Sequence, residues 1–205
     1  MPRPRSALLS VELIVNAALK LVDETGDFSF PRIARELGVS QSSLYNRIES
    51  REHIIELLRA QLFEEIPPQP VADQSWQDAA RMLIRSYRDR FAQHPKLVPL
   101  LVTQTVHAPV VMGMYEDLAL TLERSGLPTE DIGPAIASID YFALGAALDA
   151  TAPDEVWDPS PEQFPALRRA TACSGTSAER VARAFNFGLD VLVAGIEMRA
   201  KQEIY

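Results

Sequence analysis

Apolar residues recur at three- and four-residue steps along almost the whole chain, and no stretch alternates apolar with polar residues between hairpin turns. The pattern predicts an all-α protein. In the first helix Val11, Ile14, Val15, Ala18, Leu19 and Val22 line one face, and Gly26 stops it. A short helix follows over about 30 to 37, with Ser29 as its N-cap and Pro31 in its first turn, where a missing N–H costs nothing. Gly38 ends that helix, Ser40 caps a third over about 41 to 47, and Ser50 caps a fourth running to Ile66. Pro67, Pro68 and Pro70 halt it and mark the domain boundary. Ser75, with Asp78 three residues on, starts a helix to about His94 in the manner of a capping box. Pro95 and Pro99 then allow only a short irregular helical piece. Further helices are expected over about 110 to 125, 129 to 150 and 177 to 201, and a shorter one over 163 to 172.

With 205 residues, 47% of them apolar, the chain is long enough for one or two domains with their own cores. Its net charge of -8 argues against a surface coated in positive charge for nonspecific binding to polyanions. The charge is unevenly spread. Residues 1 to 55 hold seven basic and seven acidic side chains, so the whole deficit lies in the remainder, and contact with a polyanion is expected in the first quarter. The single cysteine, Cys173, excludes an internal disulfide and reads as an inert small side chain. The apolar start Ala7-Leu8-Leu9 is too short for a signal peptide, and no window approaches the length of a membrane span. A cytoplasmic protein without membrane contact is expected.

The two short helices joined by Gly38-Val39-Ser40 have the layout of a helix-turn-helix. Ile33, Ala34, Leu37, Val39, Leu44 and Ile48 form the apolar set that fixes their angle. Gln41, Ser42, Ser43, Tyr45, Asn46 and Arg47 are left outside, with hydrogen-bonding groups suited to base edges and phosphates. The run from Phe30 to Ile55, with its Gly-Val-Ser, Leu44-Tyr45 and following basic residue, resembles the DNA-binding domain of the tetracycline-repressor family. That resemblance implies that Gln41, Ser42, Ser43, Tyr45 and Asn46 lie in or beside a major groove, with Tyr45 and Arg51 on phosphates and Arg32 and Arg47 as further phosphate contacts. Arg47 also reads as a solvated charge and Tyr45 as a packing residue that touches a phosphate. Arg3 and Arg5 sit in a tail that reads either as a disordered end or as a minor-groove arm.

In the last helix Phe185, Leu189, Leu192 and Ile196 form one apolar stripe, and Phe187, Val191, Ala194 and Met198 another, about 200° around at ~100° per residue. The helix over 129 to 150 repeats this, with Ile132, Ile136, Ile139 and Ala143 opposite Ala137, Tyr141, Leu144 and Leu148. One stripe can serve the chain's own core and the other a partner. Ser75 to Asp78, Tyr141 to Gly145, Phe185 to Leu189 and Gly195-Ile196-Glu197 are similar to the C-terminal domain of the family's tetracycline-binding members. The family implies a homodimer through helices 129–150 and 177–201. The chain then reads as a DNA-binding domain over 1–50, a connecting fourth helix over 51–66, and a ligand-binding and dimerisation domain over 67–205.

In members that bind tetracycline, the drug is held as a magnesium chelate by residues that fall here at Pro67, Leu83 and Tyr87 and near Gln104 or Thr105. Of that chemistry only a carboxylate, Asp149, is retained, and one carboxylate makes a poor magnesium site. The expected inducer is therefore mostly apolar, held by Tyr87, Gln104, Thr105 and His107 with Asp149 nearby, without a resident metal or cofactor. His94, at a helix end, reads as a capping or dipole partner. No Gly-x-Ser-x-Gly, His-Glu-x-x-His or phosphate-cradling glycine pair is present, and His53, His94 and His107 lack metal-ligand spacing. These absences disfavour an enzyme. The resulting expectation is a ligand-responsive repressor that binds a palindromic DNA operator; a helical small-molecule-binding or interaction module without DNA binding is the alternative.

Overall fold

The computed structural model describes residues 9–64, 74–153, 155–172 and 175–202. Pro67, Pro68, Pro70, Cys173, Arg3 and Arg5 lie outside the described residues. Every regular element among those described is a helix: α1 (Val11–Thr25), α2 (Phe30–Leu37), α3 (Gln41–Tyr45), α4 (Arg51–Glu64), α5 (Trp76–Gln93), α6 (Val98–Leu101), α7 (Pro109–Arg124), α8 (Thr129–Leu148), α9 (Pro165–Thr171) and α10 (Ser177–Gln202). Single 3-10 turns at Pro95–Leu97 and Asp149–Thr151 extend the ends of their neighbours. Packing divides the chain into two compact units, Met1–Gln69 with His94–Tyr115, and Pro70–Gln93 with Glu116–Tyr205. The segment from 94 to 115 thus packs with the N-terminal helices, although it follows α5 in the chain.

In the first unit, helix ends are set by local chemistry. Ser10 Oγ accepts from the Leu13 N–H at 3.2 Å, and Ser40 Oγ from the Ser43 N–H at 3.3 Å. Ser29 differs from expectation: its side chain makes no cap bond, and the start of α2 relies on extended backbone and Pro31 instead. Gly38 takes a left-handed φ of 65°, which lets its N–H and that of Val39 turn back onto the last carbonyls of α2. Helix α3 is shorter than predicted, because Asn46 and Arg47 close it as a turn. Ile14, Ala18, Val22, Ile33, Leu44, Ile48, Ile54 and Leu58 form the buried centre. His94 occupies the N-cap position of the Pro95–Leu97 turn, but its side chain makes no cap bond. Its Nδ1 lies 2.9 Å from Asp23 Oδ2, while Lys96 Nζ donates to the Asp23 and Glu24 carbonyls, so residues 94 and 96 hold the last turn of α1.

In the second unit, Ser75 Oγ accepts from the Asp78 N–H at 3.1 Å, the predicted capped start of α5. Helix α5 packs against α8 and α10. Its arginines line up along α10: Arg81 meets Asp190 at 3.2 Å, Arg85 donates to Asn186 at 2.6 Å, and the Arg88 guanidinium lies 4.1 Å from the centre of the Phe185 ring. Phe185 in turn stacks on Phe142 of α8 at 5.2 Å. Gly188 is needed here for space, since a Cβ would stand 2.4 Å from Phe142 Cε2. The inward stripes of α8 and α10 are largely buried, through Ile132, Ile139, Ala143, Phe185, Leu189 and Ile196. The other stripes face outward, with Tyr141 77%, Phe187 74%, Met198 65% and Val191 55% exposed.

Substituting Gly188→Ala should force the Phe142 ring off its stack on Phe185 and cost ~1–3 kcal/mol of stability. Urea unfolding would measure it, and a wild-type midpoint would mean that the ring has room to move.

Candidate nucleic-acid interface

The second helix of the motif is built so that its polar side cannot turn inward. Leu44 and Ile48 are buried, and both lie on the inner face of the α3 turn. Gln41, Ser42, Tyr45, Asn46 and Arg47 are consequently exposed, and Ser43 is half-buried. Tyr45 is held in place by stacking on Phe30, with ring centres 4.7 Å apart and planes within 12°. Gln41 Nε2 donates to the Tyr45 hydroxyl at 3.4 Å, and the Ser40 hydroxyl bonds those of Ser42 and Ser43. The result is a pre-ordered strip of amide and hydroxyl groups with one guanidinium at its end.

The other two cationic candidates are placed differently. Arg32 Nη1 donates to Thr25 Oγ1 at 2.9 Å and to the Asp27 carbonyl at 3.2 Å. Arg51, at the start of α4, donates to the Phe28 carbonyl and to Asp27 Oδ1 and lies 4.3 Å from the Phe28 ring centre. Both guanidiniums converge on the turn between α1 and α2 and brace it. Each retains N–H groups beyond those used. Sequence reasoning missed Phe30 as the support of Tyr45 and Asp27 as the support of Arg32 and Arg51, because each acts through a contact that only the packing of the helices creates.

The inducer candidates fall in both units. Tyr87 and Asp149 belong to the second. Tyr87 is buried on α5, with the Phe91 ring edge-on at 4.9 Å. Asp149 is half-buried, and both its oxygens accept from Arg180 Nη1, at 3.3 and 3.0 Å, which compensates its charge within the chain. Gln104, Thr105 and His107 lie together in the first unit on the connection between α6 and α7. Gln104 is half-buried; Thr105 and His107 are exposed. Two residues unforeseen from sequence, Glu56 and Arg59 of α4, bond the backbone of this connection.

An exposed polar helix on a compact helical core, followed in the chain by a larger helical unit, defines the helix-turn-helix class of DNA-binding regulators. Residues 68–200 match the family model described as Tetracyclin repressor-like, C-terminal domain, and the chain belongs to the tetracycline-repressor family of transcriptional regulators. It is similar to the HTH-type transcriptional repressor DrrR1 of Streptomyces coeruleorubidus, 27% identical over 150 residues, which are 71% of this chain and 54% of that protein. The chain thus spans about half the length of that relative. The class D tetracycline repressor protein of Escherichia coli is 25% identical over 202 residues, covering 94% of this chain and 91% of that one. Among solved structures, apo ActR from Streptomyces coelicolor has the same fold, with a TM-score of 0.78 at 23% identity over 96% of this chain and 98% of that one. ActR in complex with actinorhodin matches with a TM-score of 0.75, at 23% identity over 93% of this chain and 96% of that one.

The brace at Arg51 carries a pH signature. Its hydrogen bond is the main cause that holds the Asp27 carboxyl below the usual carboxylate range; burial opposes it, and the Phe28 N–H adds to it. A lowered folded-state value stabilises the protein fully above the ordinary aspartate value of about 3.9, and the effect is lost as pH falls through the folded value. Urea midpoints of wild type and Asp27→Asn should therefore stay apart by a constant gap from neutral pH down to about pH 4 and converge below it. A gap that persists undiminished in stronger acid would remove Asp27 as the titrating partner.

Proposed function

We propose that the chain binds a palindromic DNA operator as a homodimer and releases it when a small, mostly apolar inducer binds. As a member of its family it is a ligand-responsive transcriptional repressor. The observation that carries the operator reading is the polar strip of α3, held outward by Leu44 and Ile48. Two such helices related by a twofold axis would meet half-sites one turn of DNA apart, roughly 34 to 36 Å. Gln41 and Asn46 offer amides suited to adenine edges, and Ser42, Ser43 and Tyr45 offer hydroxyls for bases or phosphates. Arg47 supplies a phosphate contact, and Arg32 and Arg51 add theirs through the donors that their bracing leaves over. We place this activity in the cytoplasm; among the described residues no helix is long and apolar enough to cross a membrane.

The interface we assign is α8 with α10. Their outward stripes would cost stability if left in water, and a groove of about 300 Å³ between the two helices, lined by Pro134, Ala135, Val191, Leu192 and Ile196, would accept a partner's side chains. The inducer contacts are assigned to Tyr87, Gln104, Thr105 and His107. The pairing of Asp149 with Arg180 supports a ligand that brings no magnesium, since a cation there would have to displace a guanidinium. Release follows if the inducer favours a tilt of α4 that spoils the spacing of the two α3 helices.

Binding to a pool of random duplexes, read by gel shift, tests the reading directly and yields the operator. Gln41→Ala or Tyr45→Ala should weaken that binding by ~1–3 kcal/mol per subunit, and wild-type affinity should fall steeply with salt. Failure to retain any duplex would leave the alternative of a binding module without DNA. The interface is tested by Val191→Arg, which alters only an outward position and should leave the helix content intact while producing monomers by sedimentation. A dimer that survives this substitution places the interface elsewhere.

A further inference from the structure

Helix α4 carries a charge inside its apolar face. Arg59 follows Ile55 by four residues and precedes Leu62 by three, and all three are buried. A guanidinium in that position is tolerated only with acceptors around it. Its Nη2 donates to the Leu101 carbonyl at 2.9 Å and to the Gln104 carbonyl at 3.3 Å. One turn earlier, Glu56 Oε1 accepts from the backbone N–H of His107 at 2.6 Å and from that of Ala108. The two side chains also face each other, with Arg59 Nε 3.3 Å from Glu56 Oε2.

The placement of charge matches the backbone it meets. Leu101 ends α6, and its carbonyl, which already accepts from the Gln104 N–H at 3.1 Å, has a second lone pair that receives the guanidinium. Ala108 directly precedes α7 and has no side-chain oxygen to cap it; a carboxylate from another helix does so instead. The connection over 102–108 is therefore fastened at both ends to a single turn of α4. All four of these partners are backbone groups, so the side chains of Gln104, Thr105 and His107 are not used in the fastening. Hydrogen bonds weaken quickly with stretching and misalignment, so a displaced connection must either carry α4 with it or break this clasp. Helix α4 packs on α1 within the unit that holds α3.

We infer that Glu56 and Arg59 are positioning residues that tie the orientation of α4 to the conformation of the 102–108 connection, and so pass inducer occupancy at that connection to the DNA-binding helices. The inference rests on the ligand-responsive reading above and names the residues that carry the response. Coupling between two sites is reciprocal, so operator binding must also alter the connection. That makes the clasp testable with the operator duplex alone, before any inducer is known.

The experiment is amide hydrogen exchange over residues 102–110 in the full-length protein, with and without the duplex selected from the random pool. In the wild type, exchange at His107 and Ala108 should change on duplex binding by roughly fivefold or more, the lower end of ordinary coupling between sites. Glu56→Ala should abolish that dependence on DNA, whereas Glu56→Gln, which keeps an oxygen acceptor, should restore most of it. Arg59→Lys, which retains the charge without the two-carbonyl fork, should give an intermediate response. A purely structural role would change the absolute exchange rates and leave their dependence on DNA intact, and that result would overturn the inference. So would a wild-type connection indifferent to a tightly bound duplex, an outcome that leaves the repressor reading standing. If no duplex is retained from the pool, the repressor reading fails and the inference falls with it.

Discussion

Helix α3 has five residues, far fewer than a helix needs to persist in water by itself, so its existence and its direction are imposed from outside. Burial of Leu44 and Ile48 in the core of the first unit, with α3 packed on α2, supplies the constraint. With those two positions fixed, the remaining side chains of the turn have no choice but to face water. The polar strip is thus a by-product of packing, and its stiffness comes from Tyr45 lying flat on Phe30 and from the hydroxyl cluster around Ser40. A reader of base edges needs side chains held in place before the encounter, because ordering them afterwards would subtract from affinity. Arg32 and Arg51 serve the same end from behind, by fixing the turn that joins α1 to α2.

The second unit solves a different problem. Helices α8 and α10 are apolar on two sides, and one chain covers only one of them. The covered side is held by contacts that leave little freedom: the stack of Phe142 on Phe185, the absence of a Cβ at Gly188, and the arginines of α5 spaced along α10. The Asp131–Arg199 pair, at 2.6 Å, adds a polar tie between α8 and α10. A rigid inner side presents the outer stripes at a defined spacing, which is what a self-complementary interface requires.

Between packing and recognition stands the charged pair on α4. Low-dielectric surroundings make the clasp of Glu56 and Arg59 costly to leave half-made, so it is a candidate for two-state behaviour, and an exposed ion pair would not be. The fusion of 94–115 with the N-terminal unit depends partly on this clasp and partly on His94 and Lys96 gripping the end of α1.

The helical period of the apolar residues and the glycine and serine punctuation were enough to determine that this chain is all-α, that a helix-turn-helix lies between Phe30 and Ile48, and that α8 and α10 are apolar on two faces. Those are local properties: a period, a cap and a left-handed glycine each act within a few residues. Arg59 was not singled out from the sequence, and its partners at Leu101 and Gln104 could not be, because they are backbone groups more than forty positions away and every residue type carries them. The pairings of His94 with Asp23 and of Arg51 with Asp27 were likewise out of reach, because each joins side chains from different helices or turns that only packing brings together. Side-chain identity specifies what a residue can bond; only the tertiary packing decides which distant backbone or carboxylate comes within reach, since that depends on how whole helices bury their apolar faces.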